Sequence, residues 1–230
     1  MLLEIAVFNY SSALLAANAG ADRLELCDNY FEGGTTASYG VLKKVREKIS
    51  IPVFPIIRPR GSNFFYTDDE FNIIKKDIQL CKELGYDGIV TGILTDEGNI
   101  DTARLSTLIE LAYPMEVTFH RAFDRCKNPL QALQEIIQCS CQRILTSGQM
   151  PTAIEGKELI SALIQQADER IIIMPGSGVR SNNIIELKNE TNATEFHSSA
   201  KKINTSSIEF EETISVDVEE IKSMLSLLKN

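Results

Sequence analysis

The stretch DDEFNIIKKDIQLCKELGYDGIVTGIL, residues 68–94, contains the reading that decides the fold. Its first part carries apolar residues at helical spacing, and it ends in a short run rich in β-branched residues. Thr67, three residues before Glu70, has the form of a capping box that starts the helix. Gly85 after CKEL is placed to end it. GIVTGIL then reads as a strand. One helix feeding one strand through a short turn is half of a parallel βα unit.

The same alternation extends in both directions. Strand-like runs occur at LLEIAVF, DRLELC, IPVFPIIR, GIVTGIL, MEVTFHR, RILTSG, RIIIMPG and TEFHSS, which makes eight. Helical segments lie between them, among them NPLQALQEIIQ, where Asn128 before Pro129 is an N-cap with proline in the first turn. No Pro-, Gly- or Ser-rich linker interrupts the series, so residues 1–230 read as one domain. Eight βα units in an α/β chain of this length predict a single (β/α)8 TIM barrel. An open, doubly wound sheet is the competing arrangement, and a GxGxxG turn after the first strand would favour it. NYSSALLAANAGA has none.

Composition excludes several function classes. A formal net charge of −9 leaves no electrostatic footprint for nucleic acid or an anionic membrane. Lys43, Lys44, Arg46 and Lys48 are interleaved with other residues as on a solvated helix face. MLLEIAVF lacks a basic leader region and is broken by Glu4, so it reads as a first strand rather than a signal peptide. No apolar run approaches membrane-spanning length. Five cysteines without paired spacing point to a reducing compartment, hence the cytoplasm.

In a barrel the site forms at the C-terminal ends of the strands. Those ends supply Glu25 and Cys27, Arg58 and Arg60, Thr118 and His120, and Glu195 and His197. Alternation puts Glu25 and Cys27 on one face, and likewise Thr118 with His120 and Glu195 with His197. The chain has two histidines, His120 and His197, and both top strands. Imidazole suits acid–base work, anion binding or metal ligation. His120 and Glu25 are therefore the candidate catalytic pair. The structural alternative for the charges is a buried ion network in which Glu4 and Glu25 pair with Arg58.

PGSGVR and HSSA follow the seventh and eighth runs, where barrels often bind phosphate. Gly176 and Gly178 would let backbone N–H groups approach an anion, and Ser198 and Ser199 could donate hydroxyls. Arg58, Arg60 and His197 complete the candidate ligand-binding set, and Arg180 could add a cationic contact. Cys139 and Cys141 form a CxC, but they fall in a helix-to-strand turn on the opposite face and read as packed thiols.

The segments RLELC, EGGTTAS, IPVFPIIRPRGSNFFYTDDEF, GIVTGIL, VTFHRAFD, RILTSGQ and TEFHSSA together resemble the CutC family, named for copper homeostasis. The match spans the first strand through the eighth. The resemblance implies a (β/α)8 barrel, a cytoplasmic protein and a homo-oligomer, dimeric or higher; no catalysed reaction is firmly attached to the family. It also implies copper homeostasis with Cu(I) as ligand: Cys27 matches one proposed copper cysteine, while Ala6 stands at the position of the other. The segment KKINTSSIEFEETIS is shorter than in many relatives. Three readings stay open here: a copper-handling protein, a barrel enzyme acting on a small phosphorylated or carboxylated metabolite, and a non-catalytic ligand-binding barrel.

Overall fold

The computed structural model describes residues 1–205 and 212–229. Strand β1 (Leu2–Val7) leads into helix α1 (Tyr10–Asn18), followed by β2 (Arg23–Leu26) and α2 (Tyr39–Lys48). Then come β3 (Val53–Pro55), α3 (Asp68–Glu83), β4 (Gly88–Thr91), α4 (Thr102–Ala112), β5 (Glu116–Phe119) and α5 (Pro129–Gln138). The series continues with β6 (Arg143–Thr146), α6 (Lys157–Ala167), β7 (Ile172–Pro175), α7 (Ile184–Thr191) and β8 (Glu195–Ser198). A hairpin of β9 (Lys201–Thr205) and β10 (Glu212–Val216) precedes α8 (Val218–Lys229).

Local chemistry explains most helix starts. Thr67 and Glu70 form the capping box at α3. The side chains of Asn9, Ser38, Asp101 and Asn128 accept N–H groups of the first turns of α1, α2, α4 and α5. Gly85 follows α3 at φ +76°, a conformation glycine adopts without strain.

The strands run parallel in the orders β3-β2-β1-β8 and β4-β5-β6-β7. Ile56 bridges Val90, and the Ile57 N–H donates to the Val90 carbonyl at 2.7 Å, which joins β3 to β4. β7 packs beside β8, closing the barrel. The fold is the (β/α)8 TIM barrel expected, not the open sheet. The hairpin after β8 was not legible as such in the sequence. It lies against α1, where the Asn9 side chain donates to the Ile214 carbonyl at 3.0 Å. The middle of KKINTSSIEFEETIS lies outside the described residues.

Strand alternation divides the core in two. Leu3, Ile5, Leu24, Val53, Ile89, Val117, Ile144 and Phe196 point outward and are sealed by the helices into one large apolar cluster. The apolar cluster inside the barrel is small: Cys27, Phe54, Ile56 and Val90, with Phe8 against it. Stability therefore resides chiefly between strands and helices, where each fully buried Leu, Ile or Phe contributes about 1.5–3 kcal/mol. The barrel interior is free to carry charge.

Candidate functional site

Register decides who meets whom inside the barrel. Glu4 is paired in register with Arg23 of β2 on one side and with His197 of β8 on the other. All three point inward, so Glu4 accepts a hydrogen bond from Arg23 and its Oε1 lies 2.8 Å from His197 Nδ1. Arg23 also donates to Glu195 at 2.6 Å. Arg143 bonds the same Glu195 oxygen at 2.8 Å and Glu116 at 2.5 Å. This alternating chain of acids and bases forms the barrel floor.

The expected pairing of Glu4 and Glu25 with Arg58 is not what forms, because register supplies Glu4 with nearer partners. The guanidinium of Arg58 is instead wrapped by main-chain carbonyls. Nη1 donates to Glu32 at 2.6 Å and Gly34 at 2.8 Å, and Nη2 donates to Ser62 at 3.0 Å.

Above the floor opens a cavity of about 650 Å³. Of the residues singled out in the sequence, Glu25, Cys27, Arg58, His120, Gly178, His197 and Ser199 line it. Three others do not. Arg60 turns away to pair with Glu70 and to donate to the carbonyls of Gly61 and Phe65, fastening its loop to the start of α3. Ser198 follows His197, so alternation sends it outward; its hydroxyl donates to the Val179 carbonyl at 2.7 Å. Gly176 donates its N–H to the Thr146 carbonyl, and a Cβ there would lie 2.4 Å from a terminal methyl of Leu145, so its glycine is explained by packing against that side chain.

Sequence reasoning missed some cavity residues and gave others too little weight. Lys201, at the base of the hairpin, reaches the Tyr30 hydroxyl and stands over the Tyr30 ring. No local pattern announces it. Arg180, named only as an added contact, lines the cavity and donates to the Lys201 carbonyl at 3.0 Å. The floor cation Arg23 did have a signal: in RLELC it shares parity with Glu25 and Cys27. Asp124 of TFHRAFD plays a structural part. It accepts hydrogen bonds from the Thr146 hydroxyl and from the Ser147 and Gln149 N–H groups, which ties that motif to LTSGQ.

Electrostatics separates the carboxylates of Glu4 and Glu25. Burial alone would raise both. For Glu4, Arg23 and His197 outweigh burial and hold the carboxyl at about 2. Glu25 is raised to about 7 by burial, opposed by His197 at 3.6 Å and reinforced by the charge on Glu4. Burial opposes the charged form of His197, but the Glu4 hydrogen bond and the Glu25 and Glu4 charges prevail and raise it. His120 behaves oppositely. Burial, and then the charge on Arg58, lower it to about 3, so the ring is neutral. Its Nδ1 accepts the Ala122 N–H at 3.2 Å, which places the ring proton on Nε2.

The thiol of Cys27 is pushed well above its ordinary value by burial and by Glu25. Ala6 borders the same cavity. Cys81, Cys139 and Cys141 belong to the outer apolar cluster, away from the mouth. Among the described residues no three His, Cys, Asp or Glu side chains converge as metal ligands. This donor set does not fit a tight Cu(I) site, which calls for thiolate or thioether sulfur.

A closed parallel barrel with a charged floor and ionisable side chains bordering one cavity defines the class. The chain belongs to the CutC family, whose sequence profile matches residues 1–202. A family protein CutC of Parabacteroides distasonis is 45% identical over 240 aligned positions, covering 97% of this chain and 99% of the relative. The human copper homeostasis protein cutC homolog is 45% identical over 209 positions, covering 91% of this chain and 77% of the human one. The crystal structure of a Streptococcus agalactiae protein, provisionally named copper homeostasis protein CutC, superposes with a TM-score of 0.82 at 35% identity, over 86% of this chain and 98% of that one.

Proposed function

We propose that the barrel mouth binds a small phosphorylated or carboxylated metabolite and moves a proton on it. The observation that carries this reading is the charge of the cavity. Arg58, Arg180 and Lys201 border it, and none has a carboxylate partner among the described residues. In a chain of net charge −9, cations left unpaired around one cavity are a recognition feature for an anion. Gly178 and Ser199 line the same cavity as Arg180 and supply small-residue access for the anionic group. Glu25, next to His197, is the proton-transfer group, with an acidity suited to work near neutral pH. The five free thiols support a reducing compartment, in keeping with a cytoplasmic address. Self-association belongs to the same reading, and light scattering tests it.

The test is calorimetric titration with inorganic phosphate and a panel of sugar phosphates and small carboxylates. Arg180→Gln is expected to weaken the phosphorylated ligands about tenfold. Absence of binding across the panel, or binding indifferent to Arg180→Gln, would sink the proposal.

A second reading takes Cu(I) as cargo, as the human relative's name suggests. Its support is Cys27, which lines the cavity 2% exposed. Against it stand the raised thiol and Ala6. Cu(I) competition with a coloured chelator under reducing conditions, on wild type and Cys27→Ser, decides it: tight binding lost in the variant establishes copper, and unchanged binding removes Cys27 as its ligand.

A further inference from the structure

Two hydrogen-bond donors on residues that line the cavity are buried and unused. His120 is 3% exposed and Arg58 4% exposed, yet His120 Nε2 and Arg58 Nε have no hydrogen-bond partner. Leaving such groups unsatisfied costs about 1–3 kcal/mol each, more for a charged group. A fold keeps that cost where a ligand removes it. The two residues share a neighbour, and the charge on Arg58 acts on His120. The Phe64 ring packs 4.8 Å from the His120 ring and 4.9 Å from the Arg58 guanidinium carbon. Between their strands Gly92 leaves the space the imidazole occupies, since a Cβ there would stand 2.5 Å from His120 Nδ1. The Ala122 N–H, held by Nδ1, fixes which nitrogen carries the proton. All four side chains, Arg58, His120, Glu25 and His197, border one cavity.

We infer that Arg58 and the neutral His120 form a binding pair for a carbonyl oxygen that gains negative charge, and that the reaction class is proton abstraction next to a carbonyl. This deepens the anionic-metabolite reading and rests on it. In the step, the Glu25 carboxylate takes the proton from the carbon beside the carbonyl. The C–H electron pair becomes the new C=C bond, and the carbonyl π pair moves to oxygen. That enolate oxygen accepts hydrogen bonds from Arg58 and His120 Nε2–H. A neutral imidazole is the suitable donor, because an acidic imidazolium would surrender its proton to the enolate. Return of a proton from Glu25 to the same carbon restores the carbonyl, so the least reaction the site supports is exchange of that hydrogen with solvent. No oxidant or reductant is needed.

Two measurements test the pair. With only two histidines, the imidazole nitrogens are resolvable by 15N NMR on the intact protein. One ring is expected to be neutral, protonated on Nε2 and unchanged between about pH 5 and 8, with its Nε2–H moving downfield when 2-phosphoglycolate is added. Titration of both rings in that range, or a neutral ring protonated on Nδ1, overturns the inference without any variant. The second measurement is affinity for inorganic phosphate and for 2-phosphoglycolate, whose carboxylate imitates the enolate oxygen. Wild type is expected to prefer phosphoglycolate about tenfold and His120→Phe to lose the preference, while Arg58→Met, which also removes one of the cavity's cations, is expected to lose the preference and to weaken phosphate as well. Phosphate binding that depends on Arg180, with no added affinity for phosphoglycolate, overturns the donor pair and leaves the anion reading standing. Failure of both ligands to bind overturns both.

Discussion

His197 Nδ1 lies 2.8 Å from Glu4 Oε1 inside the barrel, while its Nε2 lies 3.6 Å from Glu25. One imidazole thus stands between two buried carboxylates. Glu4 also has Arg23, and that second cation settles which acid stays ionised. The floor supplies fixed charge, and Glu25 is left as the group that titrates.

Arg23 is the keystone of the floor, bonded to both Glu4 and Glu195. Arg23→Met leaves two buried carboxylates short of a cation and is expected to cost about 3–5 kcal/mol. Urea unfolding monitored by circular dichroism measures it. A loss under about 1 kcal/mol would show that Arg143 and His197 compensate for it.

Glu25 sets a pH dependence whose sign follows from its raised acidity constant. Its ordinary value of 4.5 becomes about 7 in the folded protein, so the folded state holds the proton more tightly than the unfolded chain. The stability this contributes is complete below about pH 4.5 and is lost as pH rises through about 7. Glu4, His197, Arg23 and Cys27 surround the group and act on it. Thermal unfolding of wild type and Glu25→Gln at about pH 5 and about pH 8 separates it: the variant is expected to lose less stability on going to the higher pH. Parallel behaviour of the two proteins would refute the assignment.

Gly92→Ala tests the seat of the imidazole. The added methyl would stand 2.5 Å from Nδ1 and 2.7 Å from Cε1 of His120, so the ring must shift and the Ala122 hydrogen bond with it. Overpacking of this kind costs about 1–3 kcal/mol. The expected outcome is lower stability together with a displaced His120 signal in the NMR spectrum, and an unmoved signal would count against the packing described.

Thr67→Ala removes the capping box of α3, where Thr67 Oγ1 accepts the Glu70 N–H at 3.2 Å and Glu70 accepts the Thr67 N–H at 2.8 Å. Loss of about 1 kcal/mol is expected in urea unfolding. Because Glu70 also holds Arg60, a double variant with Arg60→Ala should lose less than the sum of the two single changes.

Much of the site was legible, and parity was the signal. Glu25 with Cys27, Thr118 with His120, and Glu195 with His197 follow from strand alternation and all proved interior. The same rule, applied one residue further, puts Ser198 on the outer face and would have removed it from the anion set. Arg60 was misread for a different reason: its loop leaves β3 and bends toward α3, a path that no periodicity encodes.

By itself the sequence determined the number and order of the βα units, because helix and strand periods and caps are properties of neighbouring residues. It also determined which polar side chains the barrel interior could receive. Only the tertiary structure decided closure, the register that sets Glu4 between Arg23 and His197, and the arrival of Lys201 at the mouth. It alone left Arg58 without a carboxylate partner among the described residues and His120 Nε2–H without an acceptor. The physical reason is that contacts across a barrel depend on strand offset and loop path. Those are fixed by packing of the whole chain rather than by any local stretch of it.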